Sequence, residues 1–425
     1  MVENDENIHF YRGLTASCSN CGNCCSELTV TAMSAEIKKI ERSKYPGIDF
    51  KIQQCFKHLK GDFSVIAKND AGKCVFMDDS GLCTVHRISG VKLKPLACRM
   101  FPLVIHRWAD GHVSVDARYL CPSVGMPGGI PLSEQTGEIR ELTRLLDNYE
   151  KEAKAIYSVP NPVRLDRIRF VHRAYQALLA DKNIPLASRL YTLSVVQDFH
   201  ARKDMFPVIR NAGAGFEHEA LDFQRKILNV VEDTLNNASR LPASARIDFR
   251  NLLTGFVRDD IVQNSTHSQS LSKRFKTAWE VLRFGLGGGD LNKLNSSCPA
   301  TSGTDCFAKV PVLEVSQDAA SACEDFLMSR MCSMHFCGRY SHHLTYEQGL
   351  RQLLIAVPAA YAIAGLFAAA KGDKLLSFKH MRRALTYVDT AFSLSAYFKL
   401  GVTHKRISRL AAPRLYAGLL KTFVN

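Results

Sequence analysis

Eight cysteines in the first third of this 425-residue chain are spaced so that their sulfurs could converge on soft metal ions. Four open the set, in Cys18-Ser-Asn-Cys21-Gly-Asn-Cys24-Cys25. Two residues between cysteines let a tight turn aim two thiolates at one ion, and Gly22 supplies the backbone freedom such a turn needs. Cys74 and Cys83 follow, and the turn residues between them should fold the chain back and bring their thiols near each other. The last two are Cys98, in Lys94-Pro-Leu-Ala-Cys-Arg-Met-Phe-Pro102, and Cys121, directly before Pro122. A donor set made wholly of sulfur selects zinc or an iron–sulfur cluster over calcium, magnesium or manganese. Eight thiolates match two four-ligand centres, or one cluster plus a zinc. In an extended backbone, neighbouring side chains point to opposite sides, so Cys24 and Cys25 are expected to serve different metals or to bridge two.

Other reactive residues stand around this set. His86, three residues after Cys83, is near enough to replace a thiolate or to bond to a bound sulfur. Arg99 either offsets cluster charge, binds an acidic substrate group, or makes a surface ion pair. Cys55 falls outside the spacing and is expected as an unbound thiol. A second collection, Cys323, Cys332, His335, Cys337, His342 and His343, has zinc-like spacing at Cys332-x2-His335-x-Cys337. A helical pattern runs through much of it, so buried thiols beside polar histidines are the expectation there. Cys298 and Cys306 receive no role.

Fourteen cysteines in a chain that opens Met-Val-Glu-Asn-Asp-Glu-Asn, with neither a basic nor an apolar leader, point to a reducing, cytoplasmic setting and to metal chemistry rather than a disulfide framework. The formal charge of +14 is uneven. Residues 1–130 hold 16 Lys and Arg against 13 Asp and Glu, and the remainder 39 against 28, so the basic excess of +11 belongs to the C-terminal part. That excess fits a solvated helical surface or an acidic partner. Nucleic acid is not indicated, because no Lys/Arg block interleaved with aromatics occurs.

The elements that must position the sulfurs are short. Val75-Phe76-Met77 and Val113-Ser114-Val115 read as strands beside the turns Asp78-Asp79-Ser80-Gly81 and Asp110-Gly111, and Ser34 to Ile40 reads as a short helix. From residue 131 the period becomes helical, with Ile139, Leu142, Leu145, Leu146 and Tyr149 on one face. The expected class is α+β: an irregular cysteine-rich module over 14–130, a helical region over 131–284, a loop or linker over 285–305, and a second helical region over 306–425. Leu353 to Ala370 carries no charge and approaches the length of a membrane span, but it is alanine-rich and holds Pro358. A buried core helix, with no membrane engaged, is the expectation. Gly285-Leu-Gly-Gly-Gly289-Asp290 follows a helical pattern where a dinucleotide fingerprint needs a strand, so it reads as a helix terminator. No P-loop and no radical-SAM cysteine loop occurs.

Taken together, Cys18, Cys21, Cys24, Cys25, Cys74, Cys83, His86, Pro95, Cys98, Arg99, Phe101, Pro102, Cys121 and Pro122 resemble the zinc- or iron-chelating cysteine-cluster family over about residues 14–125. The architecture is also similar, more distantly, to flagellin lysine N-methylases, where such a cluster precedes a long helical region. The first resemblance implies metal on Cys18, Cys21, Cys24, Cys25, Cys74, Cys83, Cys98 and Cys121, held as an iron–sulfur cluster, 4Fe-4S in type, or as zinc. The leading expectation is a cytoplasmic metalloprotein whose helices bind a partner or substrate. Three alternatives stay open: an iron–sulfur oxidoreductase, a lysine N-methylase that would need S-adenosylmethionine, and a metal-handling chaperone.

Overall fold

Short apolar runs broken by turn residues build two small sheets in the N-terminal part instead of one large one. The computed structural model describes residues 8–19, 21–41, 52–108, 112–153, 165–202, 215–258, 271–338, 341–342 and 344–424. Contacts divide the chain into two units, Met1–Asn161 and Pro162–Asn425. The class is α+β, with a cysteine-rich N-terminal part followed by a helical region.

In the first unit, β1 (Ile8–His9) runs parallel to β6 (Val113–Ala117), which pairs antiparallel with β5 (Leu103–Arg107). The second sheet has the order β2-β4-β3, all antiparallel, from Thr31–Met33, Phe63–Ile66 and Phe56–Lys60. Five helices accompany them: α1 (Asn23–Glu27), α2 (Ser34–Glu41), α3 (Thr84–Ser89), α4 (Leu96–Met100) and α5 (Thr136–Ala153). The second sheet backs a small core of Ile40, Cys55, Ile66, Phe76 and Val85. Helix α5 buries Ile139, Leu142 and Leu146, three residues of its expected apolar face, while the side chain of Tyr149 lies outside the described set.

The second unit is helical: α6 (Leu165–Ala180), α7 (Leu186–Arg202), α8 (Gly215–Asn236), α9 (Ala243–Val257), α10 (Leu271–Gly285), α11 (Asp305–Ala308), α12 (Gln317–Ser333), α13 (Tyr346–Ala370), α14 (Phe378–Leu394), α15 (Gly401–Leu410) and α16 (Pro413–Phe423). Two-residue strands β7 (Glu314–Val315) and β8 (Leu375–Leu376) pair in parallel. Helix α13 is the core of this unit. Thr345 opens it with a capping box to Gln348, and nearly every residue from Leu353 to Ala368 is buried. By length and composition it could cross a membrane, but its apolar surface is enclosed by protein.

Three expectations differ from what the structure shows. Val75-Phe76-Met77 is a turn, not a strand. Lys68 pairs with Cys74 and Met77 with Cys83, so the run between these bridges is too short to extend, and Phe76 turns into the core. The 130/131 boundary moves to 161, because α5 packs with α4 in the first unit. Residues 285–305 are a packed loop inside the second unit. Asp290 accepts from the Thr301 N–H at 2.9 Å, Asn295 donates to the Val257 carbonyl at 2.7 Å, and Leu291, Leu294 and Cys298 are buried. The Asp110-Gly111 turn and His343 lie outside the described residues.

Candidate metal centre

Each sulfur of the cysteine-rich unit is placed by a short, strongly hydrogen-bonded element. Gly22 precedes α1 at φ 71°, and a Cβ there would stand 3.0 Å from the Gly81 carbonyl oxygen, so only glycine suits the position. Cys24 and Cys25 therefore lie in a helical turn, not in the extended backbone their adjacency suggested. Successive helical side chains diverge by about 100°, and the two sulfurs approach to 3.9 Å. The Cys25 carbonyl accepts from the Cys74 N–H at 2.9 Å, which ties the opening group to the next cysteine.

The return from Cys74 to Cys83 is built on Asp78. Its carboxylate accepts from the N–H groups of Ser80 and Leu82, both at 3.0 Å, and pairs with Arg87 at 3.3 Å. The hydrogen bonds from Ser80 and Leu82, with the Arg87 charge, hold this carboxylate below its usual range. Cys83 then caps α3. Cys98 lies on α4, whose first N–H, that of Leu96, donates to Glu36 at 2.6 Å; the other Glu36 oxygen accepts from Met33 N–H at 2.8 Å. Glu36 thus fixes the Cys98 helix to α2, a role that spacing alone did not reveal.

Cys74, Cys83 and Cys98 all pack, half-buried, against the small core. Cys25 feels the charges of all three, and Cys98 feels those of Cys74, Cys83 and Cys24. Five sulfurs from four elements thus share one neighbourhood. The hydrogen bond between Cys24 and Cys25, with burial second, holds the Cys24 thiol up, and the same hydrogen bond pulls Cys25 down against burial, so the pair shares a proton. Burial raises Cys74 and pushes Cys98 up to about 12, against the pull of Lys94. A site that desolvates several thiols at once favours a cation able to hold them as thiolates. The donor set therefore fits a thiophilic metal.

The other three cysteines differ in exposure. Cys18 and Cys21 are exposed and Cys121 is buried. The Cys121 sulfur is 3.0 Å from the Ser123 hydroxyl, which donates to the Ser17 carbonyl and so brings Cys121 to the chain beside Cys18. Among the described residues, no three His, Cys, Asp or Glu side chains converge tightly enough, as placed, to hold a metal ion. His86 is exposed on α3. Arg99 is largely buried and pairs with Glu141 of α5 at 2.9 Å, an ion pair instead of a charge left for a ligand. None of the fourteen cysteines is in a disulfide.

The sequence of this region matches a known family. Residues 17–121 match the model of the CxxCxxCC domain, described as zinc- or iron-chelating. The domain spans all eight cysteines. An uncharacterized protein of Methanocaldococcus jannaschii is 27% identical over 115 residues, 27% of this chain. The matched stretch spans 38% of that protein's length. No solved structure matches. The expected likeness to flagellin lysine N-methylases does not emerge from these comparisons.

The second cysteine collection has a different character from the CxxCxxCC domain. Cys323 is fully buried in α12, and burial pushes Cys337 up to about 12 while its sulfur faces the Met334 carbonyl at 3.5 Å. His335 is buried, with its carbonyl accepting from Ser341. Among the described members no metal-holding group forms.

Proposed function

We propose that the CxxCxxCC domain holds two sulfur-ligated centres, iron–sulfur clusters in preference to zinc, in a reducing cytoplasmic setting, with the helical unit serving to bind a partner or substrate. One observation carries this reading: Cys74, Cys83 and Cys98 gather at the edge of one small core, Cys24 and Cys25 of α1 share their electrostatic neighbourhood, and burial opposes the charge that Cys74 and Cys98 would carry alone. Cys25, Cys74, Cys83 and Cys98 are assigned to one centre. Cys18, Cys21, Cys24 and Cys121 are assigned to the other, with the adjacent pair Cys24-Cys25 joining the two. All-sulfur ligation serves either metal, and the number of thiolates favours clusters. Bound iron–sulfur supplies electron transfer or Lewis acidity, whereas zinc would confine the domain to a structural role. Glu36 and Asp78 hold the ligand-bearing turns in place, and Lys94 offsets part of the thiolate charge.

Anaerobic purification of the full chain, followed by iron, sulfide and zinc analysis, tests the assignment. A brown protein with iron and acid-labile sulfide in equal amounts is the expected result. A colourless protein holding only zinc would overturn the cluster reading and leave the chelating one.

A further inference from the structure

Among the described residues, helix α10 packs on its unit by one side and exposes the other. Phe284 is fully buried, and Gly285 is so close to Asn251 that a Cβ would lie 2.5 Å from the Asn251 Oδ1. At about 100° per residue, the opposite side carries Phe275, Trp279 and Leu282, with Leu286 one step past the helix end in the same register. Their exposures are 75%, 58%, 49% and 63%. Four large apolar side chains at i, i+4, i+7 and i+11, all turned to solvent, form a continuous stripe and not scattered surface residues. Exposed Arg274 and Lys276 flank it on either side, and Arg283 adds a third cation, paired with Glu280 at 3.3 Å.

We propose that this stripe docks the helical unit onto an anionic lipid surface. The apolar side chains would enter the boundary between headgroups and acyl chains, with Arg274 and Lys276 against lipid phosphates. The proposal rests on a helix face with aromatic and leucine side chains between basic flanks, the pattern of interfacial helices. The stripe also stands proud: at such exposure no described element walls it into the groove that a partner helix would need. A second copy is a poor occupant, because basic flanks would face basic flanks. This is docking on a surface, distinct from the membrane span that α13 excludes by being enclosed, and it departs from the expectation that no membrane is engaged.

The test uses the full chain and vesicles of phosphatidylcholine with or without phosphatidylglycerol. The protein should sediment with the anionic vesicles and be released by salt. The chain has two tryptophans, so in a Trp108→Phe background the emission of Trp279 should shift to the blue on binding. Arg274→Gln with Lys276→Gln should weaken binding on the order of tenfold. Phe275→Ser with Leu282→Ser should abolish it while the circular dichroism stays unchanged, since neither side chain supports the core. The proposal falls if anionic vesicles do not bind the chain at low salt. It also falls if the Phe275→Ser, Leu282→Ser variant still binds. It falls equally if the chain sediments as a dimer that this variant dissociates, which would give the stripe to a second copy.

Discussion

The thiols of the CxxCxxCC domain work against one another until something neutralises them. In the metal-free fold burial holds Cys98 near 12, above the ordinary thiol value of 9.0. The unfolded chain therefore loses this proton first. Stability from the neutral thiol is complete below about pH 9 and is lost as pH rises towards 12. With metal bound the sign reverses, because the folded state then holds fewer protons than the unfolded one, and stability is lost as pH falls. Urea unfolding should show the metal-loaded protein losing stability as pH falls below about 9, and the metal-free protein losing it as pH rises from about 9 towards 12; no loss on the acid side in the metal-loaded protein would show that Cys98 is not a ligand. Single substitutions test the division of sulfurs. Cys98→Ser and Cys18→Ser should each remove about half of the bound metal, and together nearly all of it. Full metal retention in Cys98→Ser would remove that cysteine from the ligand set.

At the scale of elements, the helical unit depends on contacts that join segments distant in sequence. Arg330 of α12 meets Asp389 of α14 at 2.5 Å with both side chains buried, and the guanidinium also lies over the Phe326 ring. Removing one partner leaves the other charged and dry, so Asp389→Ala should cost about 3–5 kcal/mol in urea unfolding, and a paired apolar replacement at both sites should recover most of it. The start of α13 is equally tight. A Cβ on Gly349 would stand 2.0 Å from the Phe336 carbonyl oxygen, a backbone atom that cannot swing away. Gly349→Ala should destabilise the unit by about 1–3 kcal/mol, read as a lower thermal midpoint without loss of metal. Periodicity made these helices legible in the sequence. It did not reveal Gly349, because a glycine inside a helical pattern carries no mark of the backbone packed against it.

For the whole molecule, the two units should respond differently to chelation. Cys74, Cys83 and Cys98 of the first unit pack on a cluster of only five buried side chains, whereas the second unit is organised around a 25-residue helix that is nearly all buried. Metal removal should therefore open residues 17–121 to protease while leaving the helical signal of the second unit. Unchanged protease resistance in metal-free protein would mean that this small core is sufficient by itself. Because α13 is enclosed, any membrane-associated protein should be released by high salt and alkaline washing. Retention after both treatments would overturn the assignment of α13 as a core helix.

The cysteine-cluster family, the α+β class and the enclosed character of Leu353–Ala370 could be read from the chain alone, since spacing and composition are local properties. The helix read over Ser34–Ile40 and the strand read over Val113–Val115 were also legible, the first from its serine start and the second from the turn beside it, and they form as Ser34–Glu41 and Val113–Ala117. What the sequence could not decide was which sulfurs meet. Cys24 and Cys25 are adjacent, yet whether they diverge or lie side by side depends on a helical turn that Gly22 permits and Gly81 crowds. Cys74, Cys83 and Cys98 come together through the local Asp78 turn and through two contacts made across tens of residues, the backbone pairing at Cys25 and the Glu36 clasp. Likewise, the apolar residues of α10 were visible as a helical pattern, and a pattern ordinarily marks the buried face. Tertiary packing through Phe284 and Gly285 placed that face outside, because only the folded chain determines which side of a helix finds a neighbour.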